Sequence, residues 1–474
     1  MVQFPKERRV LDSRHGVKAI LGWAVCASAW AGAATPFAPP QGDELVVYRH
    51  ATLIDGIGTP ARRDMDVLVA GERIRQVLPD SALPPAEAAK ARIVDLQGRY
   101  LIPGLVDSHV HLATPPNRRQ AEAELRRNLY GGVTAVRDMA DDLRAVGELA
   151  RSSLVGEIAG SDVYFAALMA GPDFFTDPRT IQTSAGGVAG QVPWMQAVTD
   201  GTDLPLAVAR ARGTYATAIK LYADLAPELA ARISAEAHRQ HLLVWAHATL
   251  YPAKPSEVVA AGADSISHAC LLVRETAERV PRWSEPHGHV DLKEFSSGSS
   301  PMLARLFATM GQRGVILDAT VWTYAAPSQP AASSAPGGTP PLLPGGCDDI
   351  VGGAIAAQAY RAGVQISAGT DNVAPAAEPW PELFHEMSAL NDLAHMPPDA
   401  VLRSATLVGA RAAGQEREMG SIEPGKLANM VVLAMNPLDA VDNLKSIVMT
   451  VKRGRVFKRS DFVPLQAGDI TDLY

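Results

Sequence analysis

Two histidines one residue apart, His109 and His111, stand in the apolar run GLVDSHVHLATPP. On a β-strand, residues i and i+2 share a face, so a strand here aims both rings the same way. Two buried imidazoles side by side need partners for their nitrogens, and either a metal ion or hydrogen-bonding neighbours can supply them. Four more polar residues interrupt apolar runs elsewhere: Lys220 in TAIKLY, His247 in LLVWAHATL, His268 in GADSISHACLL and Asp371 in QISAGTDN. Imidazole and carboxylate form the ligand set of zinc and its neighbours. Taken singly, each has a plainer explanation. A lone histidine can be a hydrogen-bonded core residue, Asp371 can cap a helix, and Lys220 can snorkel out of its strand.

The elements that carry these residues favour the joint explanation. Short β-branched runs begin at Val106, Val133, Asp162, Ala216, Leu243, Ser265, Val315 and Gln365, and helical stretches such as RRQAEAELRRNLYG separate them. Eight strands alternating with helices predict a parallel (β/α)8 barrel over residues 101–412, with a doubly wound sheet as the alternative. In such barrels the carboxyl ends of the strands form one rim. His109 and His111 on strand one, Lys220 on strand four, His247 on strand five, His268 on strand six and Asp371 after strand eight then converge there. The plain readings would require an unrelated cause at each of five strands. Tyr222, two residues past Lys220, either reaches the substrate or packs at the rim. Arg137 can bind a substrate carboxylate, but an ion pair with Asp138 or Asp141 is the favoured reading. His287 and His289 repeat the H-x-H spacing in a loop without a strand to aim them, and His238, His241 and His385 lie on helices or their ends. None of these five is assigned to the site.

Outside the barrel, the short strands of residues 45–100 and 413–460 share one texture and predict a composite β-domain built from both chain ends, with Ala70-Gly71-Glu72 as a hairpin turn. Residues 326–346, rich in Pro, Gly and Ser, read as a long loop after strand seven. The chain has 474 residues, 47% of them apolar, and a net charge of −7 without a long basic run. That length and composition accommodate a large core, and the charge argues against a nucleic-acid partner. At the amino end, Lys6, Arg8, Arg9, Arg14 and Lys18 precede the apolar run AILGWAVCASAWAGAA and the small residues Ala31 and Ala33. This predicts a signal peptide over residues 1–33, a mature start between Ala34 and Phe37, and export to the periplasm or beyond, with an uncleaved anchor as the alternative. Cys270 and Cys347 would remain after cleavage, and whether they pair is left open.

These segments together resemble the amidohydrolase superfamily of metal-dependent hydrolases. GLVDSHVHL is similar to its strand-one signature, GVTAVRDM to its strand two, and VWAHA, GADSISHA and ISAGTD to its later ligand strands. MGSIEPGKLANMVVL resembles its carboxyl-terminal return to the β-domain, with Asn429 where the family usually has aspartate. The likeness is greatest to the imidazolonepropionase-like and Xaa-Pro-dipeptidase-like branch, although the segment after Lys220 is shorter than in the dipeptidases. The resemblance implies a distorted (β/α)8 TIM barrel with a β-sandwich, and hydrolysis of an amide, N-acyl amino acid or dipeptide-like substrate by a metal-bound hydroxide. His109, His111 and Asp371 would hold one Zn2+ and His247 and His268 a second, with Asp371 also the proton carrier. A lysine in an apolar strand beside two dications is most stable as an anionic carbamate, so Lys220 is expected to be carboxylated and to bridge the metals. The partners expected are a small-molecule substrate and further copies of the chain, with no membrane after signal cleavage. Two alternatives stay open: a mononuclear deaminase or cyclic amidase, and a non-catalytic binding protein on the same scaffold.

Overall fold

The computed structural model describes residues 44–288, 290–325, 347–373 and 377–464. The expected signal peptide and cleavage site, His289, and the Pro/Gly/Ser-rich segment 326–346 lie outside the described residues.

Eight parallel strands follow one another along the chain: β1 (Leu105–Val110), β2 (Val133–Asp138), β3 (Asp162–Ala170), β4 (Ala218–Leu221), β5 (Leu243–His247), β6 (Ser265–Ser267), β7 (Ile316–Asp318) and β8 (Ile366–Ser367). Each pairs with the next in the series. Between β8 and β1, Ser108 N donates to Ala368 O (2.9 Å) and Asp371 N donates to His109 O (2.8 Å), which nearly closes the barrel. β1 and β2 are buried along their whole length. Helices cover the outer face of a parallel barrel, so its strands read as continuous rather than alternating apolar runs. The helices are locally encoded as well. Arg118–Tyr130 starts where Asn117 Oδ1 accepts from Gln120 N (3.1 Å), and it buries Ala121, Leu125 and Leu129, four residues apart.

Two strands are shorter at the rim than the sequence suggests. β6 stops at Ser267, and His268 turns away at φ 78°. β8 stops at Ser367, and Asp371 lies at φ 45°. An element absent from the sequence reading extends β3. Gln191–Val192 and Met195–Ala197 form a hairpin whose second strand runs parallel to the end of β3, with Met195 beside Leu168.

The second sheet draws on both chain ends. Leu45–Leu53, Arg62–Ala70, Arg73–Pro79, Arg92–Asp95 and Tyr100–Pro103 join Met430–Leu433, Ile447–Lys452 and Arg455–Lys458. The halves meet where Leu101 pairs antiparallel with Val432. Tyr48, Val67, Leu101, Met430, Val432 and Val451 form its core, which is separate from that of the barrel. Gly71 turns the expected hairpin at φ 57°, a left-handed conformation that glycine adopts without strain. Asn429 makes a local bond, its Oδ1 accepting from Arg453 N (2.8 Å). Cys270 and Cys347 are joined by a disulfide, with their Cα atoms 6.1 Å apart. It ties the turn after His268 to the helix Asp349–Arg361.

Candidate metal centre

The six residues singled out from sequence as ligands all line one cavity of about 500 Å³ at the carboxyl ends of the strands. His109, Lys220, His247 and His268 are buried, whereas His111 and Asp371 are partly exposed. Asp371 Oδ1 lies 3.5 Å from His109 Nε2 and 3.4 Å from His111 Nε2, and Asp371 Oδ2 lies 3.7 Å from His268 Nδ1. One ligand atom each from His109, His268 and Asp371 falls within 4.8 Å of the others. That triad cuts across the two-and-two division of histidines expected from the sequence. The rings of His109 and His268 are 5.0 Å apart, and those of His247 and His268 are 4.7 Å apart.

A shell of partners orients the rings. His109 Nδ1 is 2.8 Å from Asp318 Oδ2, His111 Nδ1 is 2.8 Å from Asp141 Oδ1, and His268 Nδ1 is 2.9 Å from Thr320 Oγ1. Carboxylates on the far nitrogen of a histidine fix its tautomer and ring orientation, the usual surroundings of a metal-binding imidazole. Asp318 also accepts from Ser267 Oγ (2.9 Å) and pairs with Arg137 Nη2 (3.2 Å). The ion pair with Asp138 or Asp141 that the sequence favours does not form: Arg137 pairs with Asp318 instead. It is buried, lies over the Trp245 ring at 4.6 Å and donates from Nε to Ser108 O (2.6 Å), which keeps it away from any substrate. His268, Thr320 and Asp371 all have positive φ, at 78°, 46° and 45°. Such strain in non-glycine residues persists where the surrounding structure over-determines it, and it clusters at functional sites.

Asp318 closes strand seven as Asp371 follows strand eight, so the strand-end argument could have found it. Asp141 pairs with His111 rather than with Arg137. Outside the rim, His287 stacks on Tyr251 (4.2 Å), His238 bonds Asp264 (2.9 Å), and His385 stacks on Trp322 (4.5 Å), so none of these joins the cluster.

The electrostatics suit a cation. Burial, reinforced by Lys220 and His268, holds His247 well below the ordinary imidazole value, and burial takes His268 down to about 3. Both are then neutral, with lone pairs available. Burial opposes the charge on Asp371, but His109, His111 and His268 outweigh it and keep the carboxylate ionised. Burial pushes the Lys220 ammonium down to about 7. Lys220 Nζ and His247 Nδ1 are buried and have no hydrogen-bond partner among the described residues. Orphaned buried polar atoms are costly, and a bound ion would give such atoms a partner. The donor set therefore fits a divalent metal. Tyr222 lies just past the end of β4, with its ring 3.9 Å from that of His247.

A model of the amidohydrolase family matches residues 100–457. The chain belongs to the amidohydrolase family. It is accordingly an enzyme, a hydrolase of that superfamily, and the reading as a non-catalytic binding protein falls. A 5-methylthioadenosine/S-adenosylhomocysteine deaminase of Teredinibacter turnerae is 25% identical over 80% of this chain and 81% of its own length. An imidazolonepropionase of Pseudomonas paraeruginosa is 25% identical over 78% and 87%. The imidazolonepropionase of Cereibacter sphaeroides reaches 34% identity, but over 30% of each chain. Among solved structures, a Xaa-Pro dipeptidase has a TM-score of 0.66 at 20% identity over 88% of this chain and all of its own. The ochratoxinase of A. niger also scores 0.66, at 18% identity over 89% and 97%. These structural likenesses speak to the fold. Among the described residues, no helix is long and apolar enough to cross a membrane.

Proposed function

We propose that the chain hydrolyses amide bonds in N-acyl amino acids or dipeptide-like substrates, with two divalent metal ions, preferably zinc, at the rim. The observation that carries this reading is the convergence of four histidines and Asp371 around a buried Lys220 whose Nζ has no hydrogen-bond partner among the described residues. His109 and His111 would hold one ion with Asp371, and His247 and His268 the other. Lys220, held near neutrality by burial, is suited to react with carbon dioxide. Its amine nitrogen would bond the carbon of carbon dioxide and release a proton to water, leaving a carbamate that would supply anionic oxygen ligands to the ions. The bound ions would lower the pKa of water and polarise the amide carbonyl.

The chain's own residues then do the following. Asp371 takes a proton from the attacking water and returns it to the leaving nitrogen, a role that needs a carboxylate within reach of both. Tyr222 donates a hydrogen bond to the carbonyl oxygen as it gains charge. Asp318, Asp141 and Thr320 keep His109, His111 and His268 in place. Screening the metal-loaded protein against N-acyl amino acids, dipeptides, lactams and lactones tests the reading, with metal counted per chain. Amide hydrolysis at two metals per chain is the expected result, and inactivity on every amide would overturn it.

The deaminase likeness over four-fifths of the chain and the compact His109–His268–Asp371 triad favour a second reading, a mononuclear deaminase. One metal per chain and release of ammonia from a purine would select it. We further propose export. The charged start and short apolar run motivate it, and the Cys270–Cys347 disulfide is suited to an oxidising compartment. Amino-terminal sequencing after cell fractionation should find a start between Ala34 and Phe37, and a cytoplasmic product that begins at Met1 would sink the idea.

A further inference from the structure

Much of the cavity lining is apolar, with Met139, Leu168, Phe174, Met195 and Leu271 contributing. Among the described lining residues there is one guanidinium, that of Arg179. It stands on the excursion that leaves β3, which the sequence reading passed over. Asp177 is buried and grips it side-on: Arg179 Nε donates to Asp177 Oδ1 (3.1 Å) and Nη2 to Oδ2 (2.7 Å). Nη2 also donates to Tyr222 Oη (3.3 Å), and Tyr222 in turn packs against His247. Arg179 Nη1 takes no hydrogen bond among the described residues, and the side chain is 48% exposed.

An arginine has two edges that fit a carboxylate: the side edge of Nε and Nη2, and the end edge of Nη1 and Nη2. Asp177 occupies the first, and Tyr222 Oη takes the remaining hydrogen of Nη2, so the planar group is fixed and Nη1 is left to donate to a ligand at the mouth of the site. The fixed group is one tyrosine away from the histidines. In an N-acyl amino acid, the free carboxylate lies two bonds from the scissile nitrogen. A substrate whose amide meets Tyr222 thus brings its carboxylate toward the guanidinium and its apolar side chain toward Leu168 and Met195.

We propose that Arg179 is a specificity-determining residue of this site, holding the free carboxylate of an N-acyl amino acid or dipeptide with an apolar side chain. This rests on the amide-hydrolase reading above for the identity of the substrate, but binding can be tested apart from turnover. N-acetyl-L-leucine and its neutral carboxamide would be titrated calorimetrically into chelator-treated wild type, Arg179→Met and Arg179→Lys. Wild type should bind the carboxylate about tenfold or more tightly than the carboxamide, the margin expected of a charge-assisted pair. Arg179→Met should erase that preference, and Arg179→Lys, which keeps the charge but loses the fixed Nη1 donor, should retain a smaller one. With metal restored, Arg179→Met should raise KM for the carboxylate more than it raises KM for the carboxamide. A preference that survives Arg179→Met, or no preference or binding in wild type, overturns the assignment and leaves Arg179 as a clasp for its own loop. If Arg179→Met does not fold, an unchanged preference in Arg179→Lys together with an absence of competition by acetate overturns it equally. Carboxylate-selective binding without hydrolysis of either compound would sink the hydrolytic reading while Arg179 kept its role. Hydrolysis without carboxylate selectivity would do the reverse.

Discussion

Asp371 is the residue on which the proposed chemistry turns. It touches three of the four rim histidines and stays ionised against the pull of burial. Replacing it by Asn keeps its shape and removes the proton acceptor. Asp371→Asn is expected to fold normally and to lose at least about a hundredfold in kcat, the scale of general-base catalysis. Turnover within a few-fold of wild type, at equal metal content, would take Asp371 out of the mechanism. Lys220 raises a different question. A cation beside two dications would repel them, whereas a carbamate would hold them. Lys220→Ala should therefore lose at least one metal per chain and most activity, and propionate, a short carboxylate, should restore part of both. Unchanged metal content and turnover in that variant would remove the carbamate from the site.

Among the elements, the seam between β8 and β1 is where packing and chemistry meet. After Ser367 the chain leaves the sheet, passes Gly369 and delivers Asp371 beside His109. A Cβ on Gly369 would run into Asp318 Oδ1, 2.7 Å from His109 Cβ and 3.0 Å from His109 N. Those neighbours are a histidine of the cluster and the carboxylate that orients it, and both are buried with no room to give. Gly369→Ala should thus shift His109 or Asp318 and lower metal affinity more than it lowers stability. Metal titration alongside urea unfolding separates the two effects, and wild-type affinity in a destabilised variant would contradict it. The strand pattern of the barrel was legible because its buried β-branched runs alternate with amphipathic helices. The hairpin that extends β3 was not. Its strands are two and three residues long, too short to show any periodicity.

Beyond the site, a buried acid that does not line the cavity sets part of the pH dependence of stability. Glu386 is fully buried and accepts from Trp322 N (2.7 Å), and burial pushes its carboxyl up to about 8. In the unfolded chain it would ionise near its ordinary value of about 4.3. Below that value both states are protonated, and the group contributes no pH dependence. Between there and about pH 8 the folded chain keeps a proton that the unfolded chain has lost, so stability falls as pH rises. Glu386→Gln retains an acceptor and lacks this slope. Its stability relative to wild type should grow from pH 5 to pH 8, by at most about 1.4 kcal/mol per pH unit. Urea unfolding at the two pH values measures this, and a difference independent of pH would mean that Glu386 is ionised in the fold.

The barrel, the composite sheet and the six polar residues at the rim were all legible in the chain before it folds. Each of those rests on a local rule: alternation of strands and helices, a shared texture at both chain ends, and a polar residue closing an apolar strand. Which residues pair with which is set by folding. His109 and Asp318 are 209 residues apart, yet their side chains meet at 2.8 Å. Arg137 takes that same Asp318 in preference to the aspartates next to it in sequence, because β1, β2 and β7 aim their side chains into one barrel interior. Cys270 finds Cys347 across 77 residues, and Arg179 reaches Tyr222 from a neighbouring strand's loop. Such contacts leave no periodic trace in the chain, since closure of the sheet, and not spacing along it, brings the residues together.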